Sequence, residues 1–134
     1  MFTIHLSIFI FKFYFMKKIL VLFLFISNIS FSQMITNESK VEVIEKETFK
    51  ELIEKNIQVI DVRTAEEYRD GYIKNAINID FKSSEFIQNI SRLDKNKSYL
   101  IYCKSGNRSG KASKVMDSLG FYKIYDLKGG FMNW

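Results

Sequence analysis

Ser98-Tyr99-Leu100-Ile101-Tyr102-Cys103-Lys104-Ser105-Gly106-Asn107-Arg108-Ser109 is the stretch on which the reading of the fold turns. Ser98 to Tyr102 reads as a strand. Cys103 to Arg108 is a polar loop carrying one glycine. Ser109 to Leu119 reads as a helix, ended by Gly120. A strand that feeds a helix through a short loop is the repeating unit of a parallel sheet, and ligands bind such sheets at the carboxyl ends of the strands.

The same alternation extends in both directions. Val41 to Ile44 is a short strand candidate. Thr48 is a candidate cap for a helix to about Lys55, with Phe49, Leu52 and Ile53 at helical spacing. Ile57 to Val62 is β-branched and largely apolar, as a strand buried on both faces must be. Thr64 and Glu67 form a capping box, and Gly71 supplies a left-handed stop. Ala76 to Ile79 is a third strand, and Ser83 or Ser84 is expected to cap a helix to about Leu93. Tyr122 to Tyr125 is the last strand, followed by Gly129-Gly130 and an aromatic tail ending at Trp134. The expected fold class is α/β: a single domain over 41–134 with a mainly parallel five-stranded sheet and helices on both faces.

The Cys103 loop concentrates chemistry. A loop entering a helix start aims free backbone N–H groups into its own bowl, and the helix dipole adds partial positive charge there. Lys104 and Arg108 add two full charges. Together these are expected to stabilise a thiolate on Cys103 and to favour an anion, with Gly106 allowing the tight turn. Cys103 is the only cysteine in the chain. The competing reading is a small apolar residue at a strand end.

Residues 1–32 have a different character. Met16-Lys17-Lys18 precedes an unbroken apolar run, Ile19 to Ile26, and then Ser27-Asn28-Ile29-Ser30-Phe31-Ser32. A basic start, a short apolar middle and a small-residue exit are the parts of a secretory signal peptide. The expected arrangement is a leader over 1–32 with translation starting at Met16, a polar lead-in over 33–40, and export to a bacterial periplasm. Contact with a membrane is expected only through an uncleaved leader, because the apolar run is too short to span a bilayer.

The whole chain carries a net charge of +5. Lys12, Lys17 and Lys18 belong to the leader; without them 17 basic and 15 acidic residues remain, which excludes a general nucleic-acid binder. His5, the one histidine, is also in the leader. A Cys–His dyad, a histidine-based metal site and a cofactor are therefore not expected in the domain.

Four segments in order resemble the rhodanese-like domain family, across about residues 41–134. Val59-Ile60-Asp61-Val62-Arg63-Thr64-Ala65-Glu66-Glu67-Tyr68 is similar to the family's first signature. Gly71-Tyr72-Ile73-Lys74-Asn75-Ala76-Ile77-Asn78-Ile79 resembles its glycine–histidine–isoleucine–proline–glycine–alanine segment, with Tyr72 in place of histidine and Lys74-Asn75 in place of proline–glycine. Leu100 to Ser109 resembles the active-site loop, and Leu127-Lys128-Gly129-Gly130-Phe131 through Trp134 the closing motif.

The resemblance implies a sulfurtransferase. Cys103 would attack the outer sulfur of a small anionic donor such as thiosulfate, and the persulfide would rest in the amide bowl. A thiol, a protein cysteine or cyanide would then take the sulfur. By the same resemblance Lys104 and Arg108 hold the donor, and Ser105, Gly106 and Asn107 supply amides. Asp61 and Arg63 brace the site, or else form a purely structural pairing, with Glu67 as a further partner. Phosphatases of this architecture have five residues between cysteine and arginine; here there are four, which suits sulfur better than phosphate. The alternative function is a non-catalytic binding module of the same family.

Overall fold

The computed structural model describes residues 40–134. The leader over 1–32, the start at Met16 and nearly all of the lead-in lie outside the described residues. The strands are β1 (Val41–Ile44), β2 (Gln58–Asp61), β3 (Ala76–Asn78), β4 (Ser98–Tyr102) and β5 (Lys123–Leu127). The helices are α1 (Lys46–Glu54), α2 (Ala65–Arg69), α3 (Phe86–Ser91) and α4 (Asn107–Ser118), with a closing 3-10 helix at Gly130–Asn133. The strands form one sheet in the order β1-β5-β4-β2-β3, and every neighbouring pair is parallel.

Side-chain alternation divides the core between the two faces of this sheet. Ile60, Tyr99, Ile101 and Ile124 pack with Phe86 and Ile90 of α3 and Ala112 and Met116 of α4. Val59, Leu100, Tyr102 and Leu127 pack on the other face with Phe49 of α1. β4 lies in the middle of the sheet, so its last residue delivers Cys103 to the centre of the carboxyl edge.

Several element starts differ from the sequence reading. α1 begins at Lys46, with Glu45 rather than Thr48 at its cap and no side-chain cap bond. The Phe49 N–H donates to the Glu45 carbonyl at 3.0 Å, opening the helix early enough to place Phe49 in the core. α3 begins at Phe86, and Ser83 instead closes the turn before it by accepting the Glu85 N–H at 3.1 Å. α4 begins at Asn107, because Gly106 at φ 95° is its cap. Arg108 therefore stands in the first helical turn rather than in the loop. The Thr64–Glu67 capping box is present in both directions, at 3.0 and 3.3 Å.

At the departures from the family's second motif, Asn75 takes φ 64°, a conformation asparagine tolerates in place of glycine. Tyr72 stacks on Tyr68 at 4.3 Å between ring centroids.

Tyr102 ties the sheet to the segment before β3. It is fully buried, and its hydroxyl accepts the Ile73 N–H at 3.1 Å. Burial, and then a hydrogen bond to the Asp61 carboxylate, push its phenol well above the ordinary tyrosine range. Tyr102→Phe keeps the ring and leaves the Ile73 N–H without its acceptor, while Asp61 keeps Arg63. The loss is expected to cost about 1–3 kcal/mol. Urea unfolding checks this, and an unchanged midpoint would show that the Ile73 N–H does not depend on the phenol.

Candidate active site

The shape of the Cys103 loop is imposed by the closing segment. The Phe131 N–H donates to the Cys103 carbonyl at 2.7 Å, and the Met132 N–H to the Lys104 carbonyl at 3.0 Å. With both carbonyls held by the 3-10 helix, the following N–H groups turn toward the sulfur. This contact requires Gly130. Its φ is 62°, and a Cβ there would lie 2.5 Å from the Cys103 carbonyl oxygen and 2.8 Å from that of Lys104. The sequence reading took Gly129-Gly130 as a motif without assigning it this task.

Cys103 is 1% exposed and lies at the focus of the bowl. Its Sγ accepts the Gly106 N–H at 3.1 Å and meets the Ser109 hydroxyl at 3.4 Å. Burial works to raise the thiol pKa. The Ser109 hydroxyl and the amides of Ser109, Ser105 and Gly106 outweigh it, and the net displacement is downward. The expected direction is therefore present, and the backbone amides expected of the loop are among its causes. Fixed amide and hydroxyl dipoles stabilise the thiolate; the sequence reading named the amides together with the helix dipole, Lys104 and Arg108, and did not name the Ser109 hydroxyl.

Arg108 has another partner. Its two terminal nitrogens donate to Glu67 at 2.6 and 2.8 Å, a bidentate pair linking α4 to α2. The same Glu67 closes the capping box on Thr64. Arg108 still faces Cys103 closely enough for a thiolate there to help hold its proton, after Glu67. Its position makes it a brace for the loop. Lys104, Ser105 and Asn107 are exposed, and Gly106 is half-buried. Lys104 borders a shallow depression of about 180 Å³ with Arg63, Glu67, Asp70, Phe131 and Met132.

Asp61 and Arg63 form a buried pair at the neighbouring strand end. Arg63 Nε lies 3.0 and 2.9 Å from the two Asp61 oxygens, and one terminal nitrogen lies 2.6 Å from Oδ2. That terminal nitrogen also donates to the Gly71 carbonyl at 2.7 Å. The guanidinium lies over the Phe131 ring, 4.0 Å from its centroid. Glu67, offered as a further partner for this pair, is instead held by Arg108. Removing one member of such a pair strands the other charge away from water. Asp61 and Arg63 support the ring whose backbone pins the cysteine loop.

The sequence reading took Ser109 only as a helix start. It lies three residues past Gly106, and the approach of its hydroxyl to Cys103 Sγ is what distinguishes it.

The ion pair has a pH signature. The Arg108 guanidinium, opposed by burial, holds Glu67 at about 2, against 4.5 for a free glutamate. A depressed carboxylate contributes stability that is complete above about pH 5 and is lost as pH falls toward 2. Glu67→Gln is expected to cost about 2 kcal/mol at pH 7 and to flatten this acid limb. Urea unfolding at pH 7 and pH 3 checks both, and a parallel acid limb in the variant would place the titration elsewhere.

The profile of the rhodanese-like domain matches residues 45–134. The chain is 35% identical over 97 residues to YtwF of Bacillus subtilis, whose name assigns it provisionally to the sulfurtransferases; the match covers 71% of this chain and 91% of that one. It is 30% identical over 118 residues to thiosulfate sulfurtransferase 18 of Arabidopsis thaliana, covering 77% and 87%. A solved structure of a rhodanese-related protein from Thermoplasma volcanium is 35% identical, with a TM-score of 0.62, covering 69% of this chain and 89% of that one. Such a domain also forms part of larger proteins: the chain is 32% identical over 99 residues, 73% of its length, to the tRNA uridine(34) hydroxylase of Pelagibacter ubique, and covers a third of that protein.

Proposed function

The chain belongs to the rhodanese-like domain family, and on that premise we propose that it is a sulfurtransferase working through a persulfide on Cys103. The observation that carries this reading is the bowl around one sulfur atom, which accepts the Gly106 N–H at 3.1 Å and meets the Ser109 hydroxyl at 3.4 Å, with the Ser105 and Ser109 amides also favouring its anion. Such donors stabilise an anionic sulfur without a counter-ion. They serve equally well when the charge moves to the outer sulfur of a persulfide.

In the first half-reaction the Cys103 thiolate attacks the outer sulfur of thiosulfate. A sulfur–sulfur bond forms, the bond to the sulfonate sulfur breaks, and sulfite leaves with the electron pair. In the second, a thiolate or cyanide attacks the same outer sulfur and Cys103 departs as thiolate. No proton transfer by a histidine is needed. Lys104, exposed beside the bowl, is the cation offered to the donor, whereas Arg108 is engaged by Glu67 and positions the loop. The leader over 1–32 makes the compartment an exported one in this reading. N-terminal sequencing of the native protein tests that placement, and an intact Met1 would reject it.

One observation favours a non-catalytic binding module: Cys103 is almost covered. Intact-mass spectrometry after thiosulfate treatment decides between the two. A gain of one sulfur atom on the wild type, absent in Cys103→Ser, is the expected result. A folded wild type that gains none would make the domain a binding module. Lys104→Ala is expected to raise the half-saturating thiosulfate concentration about fivefold, the equivalent of about 1 kcal/mol for one exposed charge contact. An unchanged value would remove Lys104 from the donor site.

A further inference from the structure

The shallow depression beside the Cys103 bowl has a lining that the chemistry above uses only in part. It holds about 180 Å³ and is lined by Arg63, Glu67, Asp70, Lys104, Phe131 and Met132. Lys104 follows the cysteine in the chain, and the Phe131 and Met132 N–H groups bind the carbonyls of Cys103 and Lys104. Glu67 joins the same wall to Arg108. The depression and the sulfur therefore share one loop and its supports.

Four of the six lining side chains are charged, and two of those charges are engaged. Arg63 is held by Asp61 and the Gly71 carbonyl, and Glu67 by Arg108. Asp70 and Lys104 are exposed. Neither forms an ion pair among the described residues, with the other or with any third group. The two open charges have opposite signs, and Phe131 and Met132 supply the apolar part of the lining. The room is that of about six water molecules at about 30 Å³ each, below the range of about 300–1,000 Å³ that suits drug-sized ligands. A small anion would gain Lys104 but oppose Asp70, and a small cation would do the reverse. A small molecule with one charge of each sign satisfies both.

We infer that the depression selects a zwitterionic thiol of amino-acid size as the acceptor of the Cys103 sulfur, its carboxylate toward Lys104 and its ammonium toward Asp70. This deepens the persulfide reading and rests on it. The acceptor thiol loses its proton to water and attacks the outer sulfur as a thiolate. A new sulfur–sulfur bond forms, the bond from the outer sulfur to Cys103 Sγ breaks, and Cys103 leaves with the electron pair. Lys104 meets an anionic group in both half-reactions. Asp70 has no favourable contact to offer thiosulfate, which carries negative charge alone, so it determines specificity in the second half-reaction only.

The test starts from protein loaded with sulfur and freed of donor, and follows the loss of that sulfur by intact mass. Cysteine, cysteamine, 3-mercaptopropionate and 2-mercaptoethanol are compared at equal thiolate concentration. Each rate is divided by that of the same thiolate with 2-hydroxyethyl disulfide in solution, which removes differences in intrinsic nucleophilicity. Cysteine is expected to react about fivefold or more faster than the other three, an advantage that shrinks at high salt. Asp70→Asn should slow cysteine about fivefold and leave 2-mercaptoethanol unchanged. Equal corrected rates for the four thiols on the wild type would overturn the inference, and that comparison decides even where the variant does not fold. An undiminished cysteine preference in Asp70→Asn, folded by circular dichroism, would also overturn it. A wild type that takes up no sulfur defeats the sulfurtransferase reading instead. The depression is then tested by the attack of the Cys103 thiolate on cystine against 2-hydroxyethyl disulfide, which needs no persulfide, and the lack of a cystine preference there would overturn the zwitterion site as well.

Discussion

Two backbone hydrogen bonds, from Phe131 and Met132 to the carbonyls of Cys103 and Lys104, are the constraint on which the site depends. They settle which way the peptide groups of the loop face. If those carbonyls were free to turn inward, the bowl would present oxygen to a sulfur anion and repel it. The contact is possible because Gly130 has no Cβ and can hold a left-handed conformation. The Phe131 ring is in turn covered by Arg63, which is fixed by Asp61 and the Gly71 carbonyl. A chain of contacts thus runs from β2, through a buried ion pair and an aromatic ring, to the orientation of amides around one sulfur atom.

This arrangement explains how the charges are distributed. Cationic side chains near the sulfur are bound to carboxylates: Arg63 to Asp61, and Arg108 to Glu67. They act as struts between elements. A negative charge on that sulfur is favoured by dipoles that are already aligned. Lys104 is left at the surface.

Much of the architecture was legible in the sequence because it depends on local pattern. β-branched and apolar runs bounded by turn residues marked the strands, and Thr64 with Glu67 marked a helix start that is present with both reciprocal bonds. Where local signals misled, tertiary packing had overridden them. Thr48 and Ser83 have the chemistry of caps, but burial of Phe49 and the turn at Ser83 moved both helix starts. Gly106 as cap moved the start of α4 two residues earlier than the helix read from Ser109, which took Arg108 out of the loop.

The sequence by itself determined that the chain is α/β, that the cysteine follows a strand, and that a glycine-bearing loop leads it into a helix. Those properties follow from residue type and spacing within a dozen positions. The tertiary structure alone decided what the charged residues do. Glu67 and Arg108 are 41 residues apart, and Phe131 reaches the Cys103 carbonyl from 28 residues further along the chain. A sequence shows that such groups exist, but a charge binds whichever partner the fold brings within about 3 Å at low dielectric. That pairing depends on strand order and helix placement, which no local pattern encodes. The amide bowl around the cysteine was therefore readable from the loop and helix start, while the glycine turn that pins it, 27 residues from Cys103, was not.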